Sequence, residues 1–189
     1  MAITQTKPVS EETYRRLALD DRNGKLELHH GQLREKPSMS VEHGDIMFHL
    51  GVMLQNQLDR GQYRLRANHA RLRRSADTYY VLDLAVVPTE IERALREQPG
   101  SLDAYAGPLP LVVEIWSPST GDYDINEKLA DYQQRGDPEI WRVHPYERTL
   151  TAWRRQSDGT YAETIYRDGT EYPESLPGVA IDLDTLFEP

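Results

Sequence analysis

Leu111-Val112-Val113-Glu114-Ile115-Trp116, closed at once by Ser117-Pro118-Ser119-Thr120, is a β-branched apolar run with a carboxylate in its middle. Upstream, Tyr79-Tyr80-Val81-Leu82-Asp83-Leu84-Ala85-Val86-Val87 repeats the pattern around Asp83. Downstream, Glu127-Lys128-Leu129-Ala130-Asp131-Tyr132 opens a helical pattern with a lysine. Burying an unpaired carboxylate is costly, so one inside an apolar strand implies a cation or a metal beside it. Two carboxylates and a lysine are the minimum kit for holding a divalent ion and hydrolysing a phosphodiester. A structural alternative stays open: Asp83 as a hydrogen-bond acceptor at a strand end, and Glu114 with Lys128 as a buried ion pair.

Working outward, Ser10 caps a short helix with Glu11 and Glu12 in its first turn. Leu26-Glu27-Leu28-His29 and Gln32-Leu33-Arg34-Glu35 read as strands around a tight His30-Gly31 hairpin. Pro37-Ser38-Met39-Ser40 is a loop ending in a cap. A helix over 41–58 follows, with Ile46, Leu50, Met53, Leu54 and Leu58 at helical spacing and Gly61 as its stop. Strands are expected around 63–67, 79–87, 111–116, 139–143, 149–153 and 161–166, and helices over 90–97 and 125–135. Pro99-Gly100 closes the first of these helices and Gly136-Asp137-Pro138 the second. Ser157-Asp158-Gly159 turns the last hairpin, and Leu186-Phe187 anchors the tail. This alternation predicts an α/β or α+β fold, one sheet with helices against it.

At 189 residues, with 38% hydrophobic and 28% charged residues, the chain suits one domain over 1–189 with a short flexible N-terminus over about 1–8. No apolar run approaches the ~20 residues of a membrane helix, and the N-terminus lacks the apolar core of a secretory signal. There is no cysteine, which excludes disulfides, thiolate zinc sites and cysteine nucleophiles. The expected location is the cytoplasm.

A net charge of −9 argues against a broad electrostatic grip on nucleic acid, but not against a local basic groove. Arg60, Arg64, Arg66, Arg71, Arg73 and Arg74 occur with no acidic residue among them. On strands, Arg64 and Arg66 share a face, as do Arg71 and Arg73. They are candidate phosphate contacts, the alternative being an edge strand guarded by charge. His43, at a helix start, is a candidate phosphate ligand or base, or else a cap or packing group. His29-His30 reads as turn surface, and Tyr79, Tyr80 and Trp116 as core aromatics or base-stacking groups. No nucleophile elbow, Walker loop or dinucleotide-binding glycine motif is present.

For the site itself, Mg²⁺ or Mn²⁺ held by Asp83, Glu114 and the carbonyl of Ile115 would stabilise charge on phosphate oxygens and acidify a water. Lys128 would enter from the neighbouring helix, with Tyr132 one turn on.

The order Leu26-Glu27-Leu28-His29-His30-Gly31-Gln32-Leu33, Pro37-Ser38-Met39-Ser40-Val41-Glu42-His43, the Asp83 strand, Val113-Glu114-Ile115-Trp116-Ser117-Pro118-Ser119-Thr120, Lys128-Leu129-Ala130-Asp131-Tyr132 and Pro138-Glu139-Ile140-Trp141 resembles the Uma-two family within the PD-(D/E)XK nuclease superfamily. The resemblance runs from about residue 10 to 187. It implies a restriction-endonuclease-like fold, a mixed central sheet flanked by helices. It also implies that Asp83 is the superfamily aspartate and Glu114 the acidic residue of the second half-motif. Glu27 matches a family glutamate and joins Asp83, Glu114 and Lys128 as a catalytic candidate, the alternative being a cross-strand partner for an arginine. Two departures stand out: Leu82 replaces the proline before the aspartate, and Trp116 replaces the lysine two after the glutamate. Lys128 is then the displaced lysine.

Two functions follow as expectations. The first is a Mg²⁺- or Mn²⁺-dependent endonuclease acting on nucleic acid, DNA foremost. The second is a catalytically inactive nuclease-fold protein that binds nucleic acid or a protein. Exposed edge strands leave a homodimer open.

Overall fold

The structure, a computed structural model, describes residues 7–98, 100–118 and 127–188. Most of the expected flexible N-terminus, Pro99, Ser119, Thr120 and the expected helix start at 125 lie outside the described residues.

Helix α1 (Glu11–Asp20) is capped by Ser10, whose hydroxyl accepts from the Thr13 amide at 3.2 Å. The hairpin β1 (Leu26–His29) and β2 (Gln32–Glu35) follows. Its turn needs positive φ at His30 (48°) and Gly31 (76°). A Cβ on Gly31 would also lie 2.8 Å from that of Pro8, so glycine is required there by both conformation and space. Helix α2 (Val41–Gln57) starts at Ser40, whose hydroxyl accepts from the His43 amide. It ends before Gly61, because Leu58 turns into extended backbone and buries its side chain; Gly61 instead shapes the following turn through Asp59.

The chain continues through β3 (Tyr63–Ala67), β4 (Arg71–Ser75), β5 (Thr78–Val81), β6 (Leu84–Pro88), α3 (Thr89–Arg96), β7 (Ala104–Tyr105) and β8 (Leu111–Ile115). Then come α4 (Leu129–Arg135), β9 (Glu139–His144), β10 (Thr149–Arg155), β11 (Tyr161–Tyr166), β12 (Thr170–Glu171), β13 (Ile181–Asp182) and α5 (Leu183–Leu186).

The class is the mixed α+β arrangement expected, but the strands do not form one sheet. Five join in the order β2-β1-β5-β4-β7, six in the order β11-β10-β9-β8-β6-β3, and β12 pairs with β13. The run 79–87, which reads as one strand, is two. β5 belongs to the five-stranded sheet and β6 to the six-stranded one, and Leu82-Asp83 carries the chain between them. The crossing is held by Leu82 N to Ala70 O (3.1 Å) and Asn68 N to Asp83 O (2.8 Å).

Strand alternation then divides the interior. Leu84, Val86, Leu111, Val113 and Ile115 face α2 and α5, packing with Ile46, Leu50, Leu54, Leu183 and Leu186. Ala85, Val87 and Val112 face the other way, toward Leu72, Tyr80 and Tyr132. Glu114 shares the face of Val112, which aims it at α4.

Candidate active site

Asp83 and Glu114 are cross-strand neighbours. The antiparallel register Leu84↔Val113 between β6 and β8 extends by one residue to set Asp83 opposite Glu114. The Ile115 amide donates to Asp83 Oδ2 at 2.7 Å, which ties the aspartate to the 114–115 peptide. For Ile115, whose carbonyl was the expected ligand, it is this amide contact that the structure records.

Asp83 is 1% exposed and nearly saturated with donors. The Lys36 ammonium lies 2.7 Å from Oδ1 and also donates to the Val81 carbonyl at 2.9 Å. His43 Nε2 lies 3.1 Å from Oδ2. Burial alone would raise the pKa of Asp83; the Lys36 charge and the His43 contact outweigh it and hold the carboxyl well below the usual range. Lys36 arrives from the end of β2, and His43 from the first turn of α2, where the Ser40 cap fixes the backbone.

The second half of the site centres on Lys128, which is 2% exposed. Its Nζ sits 3.3 Å from Glu27 Oε1 and 3.4 Å from Glu114 Oε1. Glu27 Oε1 also accepts from the Val81 amide at 2.8 Å, and Glu114 Oε1 accepts from the Tyr132 hydroxyl at 2.5 Å. Tyr80 lines the lysine, with its ring centroid 5.6 Å from Nζ. Its hydroxyl donates to Asp131, which pairs with Arg74. Glu27, Asp83, Glu114 and Lys128, named from four separate stretches of sequence, are thus gathered where the two sheets meet.

Lys36 is the participant that sequence reasoning missed. Its signal was alternation: Glu27 pairs with Arg34 in the hairpin register, and two residues on, Lys36 falls on the same side as Glu27. His29 was also misplaced as turn surface. It is buried on β1, on the same face as Glu27, with Nε2 2.8 Å from Glu127 Oε2, and burial pushes its pKa down. Tyr79 and Tyr80 are core. Trp116 stacks on His144 with centroids 4.3 Å apart, and Tyr146 closes that cluster edge-on.

The four arginines divide between sheets, with Arg64 and Arg66 on β3 and Arg71 and Arg73 on β4. Arg64 and Arg66 pair with Glu92, and Arg66 also lies near Asp103. Arg71 is buried and donates to the His69 carbonyl, while Arg73 pairs with Glu11 at 2.8 Å.

Among the described residues, no group of three Asp, Glu or His side chains is arranged to hold a metal ion. The donor chemistry still suits Mg²⁺ or Mn²⁺. Asp83 and Glu114 offer hard oxygens from facing positions, and Mg²⁺ takes only one or two protein carboxylates beside water and phosphate. The cation at Asp83 in this structure is the Lys36 ammonium.

A sequence model of the family named Uma2, described as "Putative restriction endonuclease", matches residues 11–185. The crystal structure of a putative nuclease belonging to DUF820 from Anabaena variabilis is similar with a TM-score of 0.75. The likeness covers 95% of this chain and 98% of that one at 18% identity, which shows a shared fold. No curated protein matches the chain. No helix among the described residues is long and apolar enough to cross a membrane.

Proposed function

The chain belongs to the Uma2 family of putative restriction endonucleases, and from that premise we propose that it is a Mg²⁺- or Mn²⁺-dependent endonuclease that hydrolyses phosphodiester bonds, with DNA as substrate. The observation that carries this reading is the convergence of Asp83, Glu114, Glu27 and Lys128 at the junction of the sheets. A nuclease fold needs little more chemistry than this. Asp83 and Glu114 would hold the divalent ion, which supplies charge stabilisation at the phosphate and an acidified water. Lys128 supplies a fixed positive charge beside that position, and Tyr132 orients Glu114 through its hydroxyl. Glu27 holds Lys128 from the opposite side. Arg64, Arg66 and Arg73, each partly exposed, are assigned to phosphate contact. Arg71 is buried against the His69 carbonyl and serves the scaffold, and His43 is buried on Asp83, which it helps to position.

Incubation of supercoiled, linear and single-stranded DNA, and of RNA, with Mg²⁺ or Mn²⁺ tests the proposal. Wild-type protein cleaves DNA; Glu114→Gln abolishes cleavage, and Lys128→Met lowers it by about a hundredfold or more, as removal of one preorganised charge-stabilising donor does. Full cleavage by Glu114→Gln would overturn the assignment.

A second reading has its own support. The proposed metal ligands already have lysine partners, Asp83 in Lys36 and Glu114 in Lys128, as suits a nuclease-fold protein that binds nucleic acid or a protein without cutting. On that reading DNA binding survives Asp83→Asn, weakens in Arg64→Ala, and no cleavage accompanies it.

A further inference from the structure

Lys36 is the buried cation that the chemistry of cleavage does not use. Its ammonium is seated by two oxygens, Asp83 Oδ1 at 2.7 Å and Val81 O at 2.9 Å. Asp83 Oδ2 is separately engaged by His43 and by the Ile115 amide. The Asp83 oxygen that Lys36 takes therefore carries fewer protein donors than its neighbour, and a divalent ion on Asp83 would be drawn to it. An ammonium and a divalent cation repel each other strongly at contact distance in a buried site. Both cannot share Oδ1.

We propose that Lys36 is an internal counter-cation that competes with the divalent ion for Asp83, so that loading the site requires the Lys36 ammonium to withdraw. The inference rests on the metal-dependent reading above and adds a gate to it. The position of Lys36 suits such a movement. It follows β2, whose residues are all exposed, and is itself 8% exposed on a four-carbon stem, within reach of solvent. Without metal, Lys36 keeps Asp83 from being a buried unpaired charge, which would otherwise cost stability. The gate thus stabilises the empty site and weakens its affinity for metal.

The test is Mn²⁺ binding by calorimetry with wild type, Lys36→Gln, Lys36→Arg and Asp83→Asn. Lys36→Gln is expected to bind Mn²⁺ about tenfold or more tightly, the size set by removing one competing unit charge from a partly buried site. Lys36→Arg, which keeps the charge, stays near wild type, and Asp83→Asn loses binding. A second measurement uses unaltered protein, so it does not depend on the variant folding. Amine acylation read by mass spectrometry should find Lys36 protected without metal and reactive at saturating Mg²⁺, with exposed Lys7 as the constant reference. Asp83-dependent binding with unchanged affinity in Lys36→Gln, or Lys36 still protected at saturation, would overturn the gate and leave the metal site standing. Absence of Mn²⁺ binding in both wild type and Lys36→Gln would overturn the gate together with the metal-dependent reading.

Discussion

Asp83 is an aspartate with almost no exposure that remains charged, and its neighbours explain why. Lys36, His43 and the Ile115 amide replace the water it lost. Because its folded pKa lies below the unfolded value, about 3.9 for aspartate, the pairing stabilises the fold fully above that value. The contribution fades as pH falls through the lower folded pKa. Thermal melts from pH 7 down to pH 2 should therefore show part of the wild-type acid destabilisation missing in Asp83→Asn; equal acid slopes in the two proteins would contradict this. That Asp83 and Glu114 would be buried beside partners was legible in sequence, since carboxylates within apolar runs demand them. The cation for Glu114 was legible too, but that for Asp83 was not. Lys128 does reach Glu114, but the partner of Asp83 is a lysine forty-seven positions upstream; alternation in the hairpin puts Lys36 on the Glu27 side, while the packing of that side against Asp83 is long-range.

At the scale of elements, the two that deliver Lys36, Glu27 and His43 rest on small features. The Ser40 hydroxyl satisfies the His43 amide at the start of α2, so Ser40→Ala should cost about 1 kcal/mol in urea denaturation. The β1–β2 turn depends on Gly31, with φ of 76° and Pro8 close by. Gly31→Ala should destabilise by about 1 kcal/mol or more, since the native φ disfavours alanine; a neutral effect on the urea midpoint would contradict the geometry. Both features were readable, because Ser before a helical period and His-Gly between strands carry local physical meaning. The break within 79–87 was not. Nine residues from Tyr79 to Val87 contain no glycine or proline, and the kink at Leu82-Asp83 is set by bonds from Ala70 and Asn68 rather than by a turn residue. Helix α2 ends where the apolar spacing placed it, but burial of Leu58 in extended backbone, not Gly61, marks its end.

Across the whole molecule, the site lies where the chain passes from one sheet to the other between β5 and β6, and α4 with the residue before it supplies Tyr132 and Lys128. The mixed α+β class followed from the alternation of strand-like and helical periods. The division into two sheets depended on pairings such as β4 with β7 and β3 with β6, which are long-range and leave no periodic trace. The arginine-rich stretch shows the same limit. It looked like one basic stripe, yet its residues went to different sheets and to acidic partners, Glu92 and Glu11. Phosphate contact by the partly exposed arginines should appear as a salt-dependent loss of DNA affinity in Arg64→Ala, with thermal stability little changed. Cleavage by this fold requires that Asp83 and Glu114 together hold a divalent ion. A Mn²⁺ titration of wild type against Glu114→Gln by calorimetry tests it without a choice of nucleic-acid substrate. Saturable binding in wild type that disappears in Glu114→Gln is the predicted result, and equal binding in both proteins, or none in wild type, would contradict it.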